Sequence, residues 1–406
     1  MKSWFKKLLR KNNNISPLIT VSISKSALIH NLNEFRRISM ALDTKSPVAP
    51  VLKSNAYGHG LVLIAKVLKD EKISFLVIDS YFEARHLRNE GIKTPLLIIG
   101  YSNIETILEN DLKDVRFTIT SIDTLKELEN KISGKYHDKY KNKIKSNKKI
   151  TIHLKIDTGM HRQGILFEEI DTAFNIIKKS RNIILEGICS HLADADSVDS
   201  RFTDSQISVW NKIVDETRKH FPSLLYWHIS NTAGHSYKDA KANLTRLGIG
   251  LYGIKCNTDY KTNHIEKIES SINLMPVLEM TTYISEIKKI KKGKYVGYNC
   301  TFKAPQDMTI ATIPVGYYEG IDRRLSNKGV VKIDNYFAPI IGRVSMNITI
   351  IDVSNIPDVK RGDEVIVISK NTEDRNSIKN IAKDCGTIPY EIAVHIPAHL
   401  RREVVE

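Results

Sequence analysis

Lys53 stands in the run Val51-Leu52-Lys53-Ser54-Asn55-Ala56-Tyr57-Gly58-His59-Gly60, where an apolar stretch ends on a lysine and a glycine-rich turn follows. An amine delivered at the carboxyl end of a strand, just where the chain turns into a helix, lies at the mouth of an α/β barrel, and there it can form a Schiff base. A lysine after an edge strand is more often plain solvated surface. The neighbours argue otherwise here: Tyr57 supplies a phenol, while Gly58 and Gly60 allow the backbone to approach an anion closely.

The elements that would position such a lysine are legible as alternation. Short strand-like runs recur at Val48 to Leu52, Phe75 to Ile78, Leu96 to Ile99, Phe117 to Ile119, Ile150 to Ile156, Ile183 to Ile188, Leu225 to Ile229 and Leu247 to Leu251. Between most of them lie helical patterns, such as Leu61 to Asp70, with the apolar spacing of a helix that covers a sheet. This predicts an N-terminal (β/α)8 barrel whose active site is built by the loops at the carboxyl ends of the strands. From about Asn273 the texture changes to Val, Ile, Thr and Tyr runs broken by Gly and Pro: Val277 to Ile287, Met308 to Ile313, Val330 to Ile333, Ile348 to Val353 and Glu364 to Ile368. That texture predicts a C-terminal, mainly β-strand domain. The expected division is a basic arm over 1–18, a barrel over 19–270 and a β-domain over 271–406.

Composition sets independent bounds. A chain of 406 residues is long for one core and suits two domains. Cys189, Cys256, Cys300 and Cys385 lie far apart and form no C-x-x-C pair, so neither a zinc site nor a disulfide framework is indicated, and a reducing cytoplasm is the natural home. No apolar run approaches a membrane span, and the basic start from Met1 to Lys11 lacks the apolar core of a signal peptide, so no stable membrane association is expected. The net charge of +15 raises a nucleic-acid reading. Much of the excess lies between Lys131 and Lys149, where eight lysines alternate with polar residues and no glycine-rich nucleic-acid motif accompanies them. That stretch reads as a solvated insertion, and no nucleic-acid partner is expected.

The lysine run resembles the pyridoxal-phosphate lysine motif of alanine racemases, and six further segments follow in that family's order. They are Lys155 to Gly164, His228 to Ala233, Arg246 to Gly253, Val296-Gly297-Tyr298, Ile313 to Tyr317 and Gly342-Arg343-Val344-Ser345-Met346. The resemblance covers the chain from about residue 20 to the end and implies the same two-domain plan. It also implies pyridoxal 5'-phosphate as cofactor and interconversion of L- and D-alanine, supplying D-alanine for peptidoglycan. On this likeness Lys53 carries the cofactor and is the base on one face of the substrate, while Tyr298 from the partner subunit of a homodimer is the base on the other. His191 would support that tyrosine. Arg246 would face the pyridine nitrogen and, as a donor-only cation, keep it unprotonated. The phosphate would be held by Tyr57, Asn231, Thr232, Gly248 and Ile249, and the substrate by Arg162, Met346 and Tyr317; Lys155 matches a lysine that is carbamylated in some members.

Two departures from the family pattern bear on substrate scope. Asn347 stands where an aspartate is usual after Met346, which removes a negative charge near the entrance. An alignment through Tyr390-Glu391 puts Ala398 where a phosphate-contacting tyrosine usually stands. Together they make a broad-specificity amino-acid racemase of the same fold the alternative. A pyridoxal-phosphate decarboxylase would use an acidic residue at the ring nitrogen, against Arg246, and a single-barrel, non-catalytic carrier of the cofactor would lack the domain that holds Tyr298.

Overall fold

The computed structural model describes residues 17–41, 46–133, 148–197, 199–255 and 272–406. Most of the lysine-rich stretch, nearly all of the basic arm and Cys256 lie outside them. The chain divides into two compact units, one made of 24–277 with 389–394 and 404–406, the other of 1–23, 278–388 and 395–403.

The first strand, β1 (Thr20–Ser24), leads into a helix over Lys25–Ala41. The larger unit then lays down β2 (Val48–Pro50), β3 (Leu76–Ile78), β4 (Leu96–Ile98), β5 (Val115–Ile119), β6 (Ile150–Lys155), β7 (Ile183–Cys189), β8 (Tyr226–His228) and β9 (Thr245–Leu247). Strands β3 to β8 form one parallel sheet in chain order, and β2 pairs in parallel with β9. Backbone bonds join the two pieces into a ring. Leu52 N donates to Val77 O at 2.7 Å on one side, and Arg246 N donates to Ser230 O at 3.2 Å on the other. Eight parallel strands thus alternate with helices, as the apolar runs predict. The short strands β2, β3, β4 and β9 are buried along their whole length, the mark of parallel strands covered on both faces. Polar residues start the covering helices: the side chains of Ser80, Asn103 and Ser121 accept from the amides of Glu83, Thr106 and Thr124.

The ninth strand differs from expectation. It ends at Leu247, and the segment read as strand through Leu251 is a tight 3-10 turn over Ile249–Tyr252 closed by Gly253 at φ 78°. Glycines at 248, 250 and 253 break the extended backbone, so the strand falls two residues earlier and the turn is free to line a site.

The other unit is strand-rich. It contains β10 (Leu278–Tyr283), β11 (Glu286–Ile290), β12 (Tyr295–Val296), β13 (Phe302–Lys303), β14 (Met308–Ile313), β15 (Val330–Ile333), β16 (Tyr336–Pro339), β17 (Thr349–Asp352) and β18 (Glu364–Ile368), with β19 (Arg402–Val405) at the chain's end. Its main sheet runs β16-β15-β18-β10-β1-β19, so β1, read from sequence as part of the barrel region, pairs antiparallel with β10.

Asn31 ties the first helix to the chain beyond the barrel. Fully buried, it donates from Nδ2 to the carbonyls of Leu251 (3.1 Å) and Met275 (2.8 Å) and accepts from Met275 N (2.8 Å). Asn31→Leu leaves three backbone groups without a partner, and the unfolding free energy is expected to drop by about 3 kcal/mol. A urea midpoint lowered at unchanged m-value checks this; a wild-type midpoint would refute it.

Candidate active site

Lys53 stands three residues past β2, the first barrel strand, and the chain behind it does something unusual. Ser54, Asn55, Ala56 and Tyr57 all have φ between 51° and 56°, a left-handed turn of four non-glycine residues. Such a turn costs roughly 1–2 kcal/mol per residue, so it must be held. Ser54 N donates to Glu83 Oε1 at 2.8 Å, Leu61 N donates to Asn55 Oδ1 at 2.9 Å, and Gly60 N donates to Asn55 O at 2.9 Å. Gly58, at φ 82°, lies so close to the helix Pro389–Val394 that a Cβ there would be 1.9 Å from the Ala393 carbonyl. Lys53 and Tyr57 both line a cavity of about 560 Å³.

The cavity is walled by the carboxyl ends of the barrel strands. Tyr57 stacks at a tilt on Tyr252 (5.2 Å) and on Tyr390 (6.0 Å), and a Cβ on Gly248 would meet its hydroxyl at 2.9 Å, so the phenol overhangs bare backbone. Thr232 Oγ1 accepts from Gly248 N (3.1 Å) and Gly250 N (3.4 Å), and Asn231 Oδ1 accepts from Gly234 N (2.6 Å). The Gly248 amide, expected from sequence as a ligand donor, is therefore already used by Thr232. Ile249 lies beside it in the cavity wall.

Arg246 comes from the last barrel strand and is buried. Its NH1 donates to His228 Nδ1 (2.6 Å) and His228 O (2.8 Å), and its NH2 donates to Ser190 O (2.7 Å) and Ile229 O (3.1 Å) and lies 3.3 Å from His191 Nδ1. Among the described residues its Nε has no partner. Burial, and then the cations Arg246, Arg162, Lys155 and Lys53, hold His191 neutral with its pKa down to about 3. Burial likewise lowers the pKa of Lys155. Arg162 is exposed at the cavity rim, on a loop whose Asp157 Oδ1 accepts from Gly159 N (2.9 Å) and His161 N (3.1 Å).

Tyr298, Tyr317 and Met346 belong to the strand-rich unit and do not line this cavity. They are exposed by 68%, 42% and 55%. Tyr317 N donates to Ser345 O (3.0 Å) and Tyr318 N to Met346 O (2.9 Å), so the two motifs dock back to back, with Gly316 too close to Met346 for any Cβ. Asn347 Nδ2 donates to buried Glu319 Oε1 at 2.6 Å. A carboxylate is therefore present beside position 347 although the aspartate is not. Within this chain His191 lies against Arg246.

Sequence reasoning missed several lining residues. Asp79, Tyr101, Thr118, Cys189 and Asp196 all line the cavity, and the first four stand at or within three residues of the end of a barrel strand. Counting one to three residues past each apolar run finds Asp79, Tyr101 and Cys189, whereas Thr118 lies inside its strand. Tyr390 was passed over in favour of position 398; it lines the cavity against Tyr57, whereas Ala398 is exposed in the other unit. Among the described residues there is no group of side chains suited to a metal ion, and no helix is long and apolar enough to cross a membrane.

The alanine racemase N-terminal domain family matches residues 23–256 and the alanine racemase C-terminal domain family matches 277–404. The chain belongs to the alanine racemase family. A curated alanine racemase of Methanococcus maripaludis is 34% identical over 392 residues, covering 96% of this chain and 99% of its own. A Clostridium difficile 630 alanine racemase structure superposes with a TM-score of 0.84 at 28% identity, over 97% of each chain. The Bacillus anthracis alanine racemase, solved with bound L-Ala-P, gives a TM-score of 0.83 at 26% identity over 97% of this chain and 96% of its own.

This racemase-family site keeps its histidines uncharged, which fixes the sign of its acid response. Burial lowers the pKa of His153 and His228 and takes His235 down to about 4, whereas the unfolded chain takes up these protons near pH 6.5. Below about pH 6.5 the unfolded state binds more protons, so stability present at neutral pH is lost as pH falls. The unfolding free energy is expected to decline between about pH 6.5 and 4, by up to about 1.4 kcal/mol per pH unit for each fully buried histidine. Urea titrations at pH 7 and 5 check this, with a flat profile refuting it and His235→Phe making the decline shallower.

Proposed function

We propose that the chain is a pyridoxal-phosphate-dependent alanine racemase that interconverts L- and D-alanine as a homodimer in the cytoplasm and supplies D-alanine for peptidoglycan. The observation that carries this is the pairing, in one cavity, of a strand-end lysine with a buried arginine whose Nε is left without a partner among the described residues. The donor set fits the cofactor. Arg246 can only donate and so suits an unprotonated pyridine nitrogen, and the Tyr57 hydroxyl over the Gly248 backbone, with Thr232, Asn231, Ile249 and Tyr390, suits a phosphate.

Pyridoxal phosphate, when bound, draws electrons from the substrate's α-carbon and acidifies its proton. Lys53 holds the cofactor and exchanges a proton at Nζ on one face. Tyr298 of a second copy exchanges the other at its phenol oxygen. Arg162 holds the substrate carboxylate with the Met346 amide and Tyr317 of the second copy, and Lys155 sets the arginine. Alanine is preferred over larger amino acids because both signs of a loosened pocket lose force: Tyr390 fills the tyrosine place beside Tyr57, and Glu319 carries the charge beside Asn347. A dimer is supported by Tyr298, Tyr317 and Met346, functional in the family yet exposed in their own unit.

Lys53→Ala is expected to remove the borohydride-trapped lysine label and essentially all racemisation. Lys53→Ala and Tyr298→Phe chains, each nearly inactive alone, should regain about a quarter of wild-type activity when refolded together, since half of randomly paired dimers carry one intact site. No recovery in proven mixed dimers means that Tyr298 does not act across subunits.

A further inference from the structure

Arg246 is a buried cation to which no carboxylate among the described residues is hydrogen-bonded, a costly state unless the charge is answered elsewhere. The contacts beyond it run in a single line. His228, which accepts from Arg246 NH1 at Nδ1 (2.6 Å), has its Nε2 2.8 Å from His153 Nδ1, and His153 Nε2 is 3.2 Å from Glu186 Oε2. Arg116 closes the line, its Nε and NH2 donating to the two carboxylate oxygens of Glu186 at 2.9 and 3.1 Å. Both histidine rings are fully buried. The fold makes room for them: a Cβ on Gly187 would be 2.8 Å from the His153 ring, and the β6–β7 register shifts between Ile152 and His153.

Hydrogen-bond inventory gives the line a direction. An arginine only donates, a carboxylate only accepts, and a neutral imidazole has one N–H and one bare nitrogen. Burial keeps both rings neutral, in spite of Glu186 beside His153. Starting from Glu186, His153 Nε2 must carry the proton and its Nδ1 is bare, so His228 Nε2 carries the proton and its Nδ1 is bare. Arg246 NH1 meets that bare nitrogen but also donates to His228 O, so the arginine by itself does not force the tautomer. The Glu186 carboxyl would be raised by its burial, but the bonds from His153 and Arg116 outweigh this and hold it down at about 2, so it stays an acceptor.

We propose that Glu186 is a positioning residue for Arg246: through His153 it fixes both histidines in the Nε2–H form, so that His228 can only accept from the Arg246 guanidinium and the arginine is held with Nε toward the ring of the cofactor. This rests on the reading of Arg246 given above. The charge of Glu186 also reaches Arg246 by polarising the line, without placing a carboxylate next to the cofactor, where it would draw a proton onto the pyridine nitrogen.

The test reads tautomers directly, by ¹⁵N correlation spectra of the histidine rings in the full-length protein, and turnover separately. In the wild type both His153 and His228 should show a protonated Nε2 and a bare Nδ1. In the double variant Arg116→Leu/Glu186→Leu, which removes the ion pair as a unit and leaves no orphan charge, both rings should shift toward mixed tautomers. There kcat should fall by about tenfold with KM little changed, the size of effect that losing a remote orienting partner has at metal sites. Glu186→Asp, which keeps the acceptor, should retain the wild-type tautomers. A wild-type His228 with Nδ1 protonated overturns the proposal whether or not any variant folds, as do unchanged tautomers in the double variant or shifted tautomers with unchanged kcat. If instead Lys53→Ala keeps full activity, the cofactor reading fails while the tautomers remain as stated.

Discussion

The left-handed turn from Ser54 to Tyr57 is the constraint on which the rest of the site depends. A right-handed continuation after Lys53 would send the phenol of Tyr57 to another bearing; winding the chain the other way lets both line one cavity. The strain of four such residues persists only because the surroundings over-determine it. Glu83 accepts from Ser54 N with one oxygen and from Asp79 N with the other (2.7 Å), while its own amide is capped by Ser80. The N-terminus of the helix Tyr81–Asn89 therefore anchors the turn behind Lys53. Gly58 completes the arrangement by admitting the helix that carries Tyr390, so one glycine with positive φ links the lysine turn to a residue more than three hundred positions later.

Charge is distributed in the cavity by the same logic. Lys53, Lys155, Arg162 and Arg246 line it together, and their mutual repulsion adds to burial in holding Lys155 and His191 toward their neutral forms. A phosphate and a carboxylate are the ligands such a field favours. Arg246 stays charged because a guanidinium resists deprotonation far more strongly than an ammonium or an imidazolium. The histidines next to it give way instead, and their neutrality is what allows them to transmit a hydrogen-bond direction.

How far the sequence could be read depended on the range of the interaction. Each barrel strand from β2 to β8 is a local apolar run between polar helix starts, so its position was legible within a few residues. The ninth was misplaced because Arg246 to Gly253 mixes apolar residues with glycines, and the backbone, freed by those glycines, chose a 3-10 turn. Strand β1 gave no sign of its partner, since the pairing of Val21 with Met280 spans most of the chain. The motif residues Lys53, Arg162, His191, Asn231, Thr232, Arg246, Gly248 and Ile249 converge on one cavity. Tyr101 and Asp79 had no motif to mark them, only their place after a strand.

Asn347 shows how a departure from a family pattern is resolved by its neighbours. Glu319 is buried, and its Oε2 accepts from Gly316 N at 2.8 Å while its Oε1 accepts from Asn347. This carboxylate fixes the Gly316–Glu319 turn that presents Tyr317, and the turn in turn hangs on the carbonyls of Ser345 and Met346. An aspartate at 347 would set two carboxylates within hydrogen-bond distance, forcing one to take up a proton or swing away. Asparagine offers a donor there instead. The residue at 347 is thus chosen by the glutamate at 319 to hold Tyr317 and Met346 in register, and its change of charge carries no implication of a wider pocket.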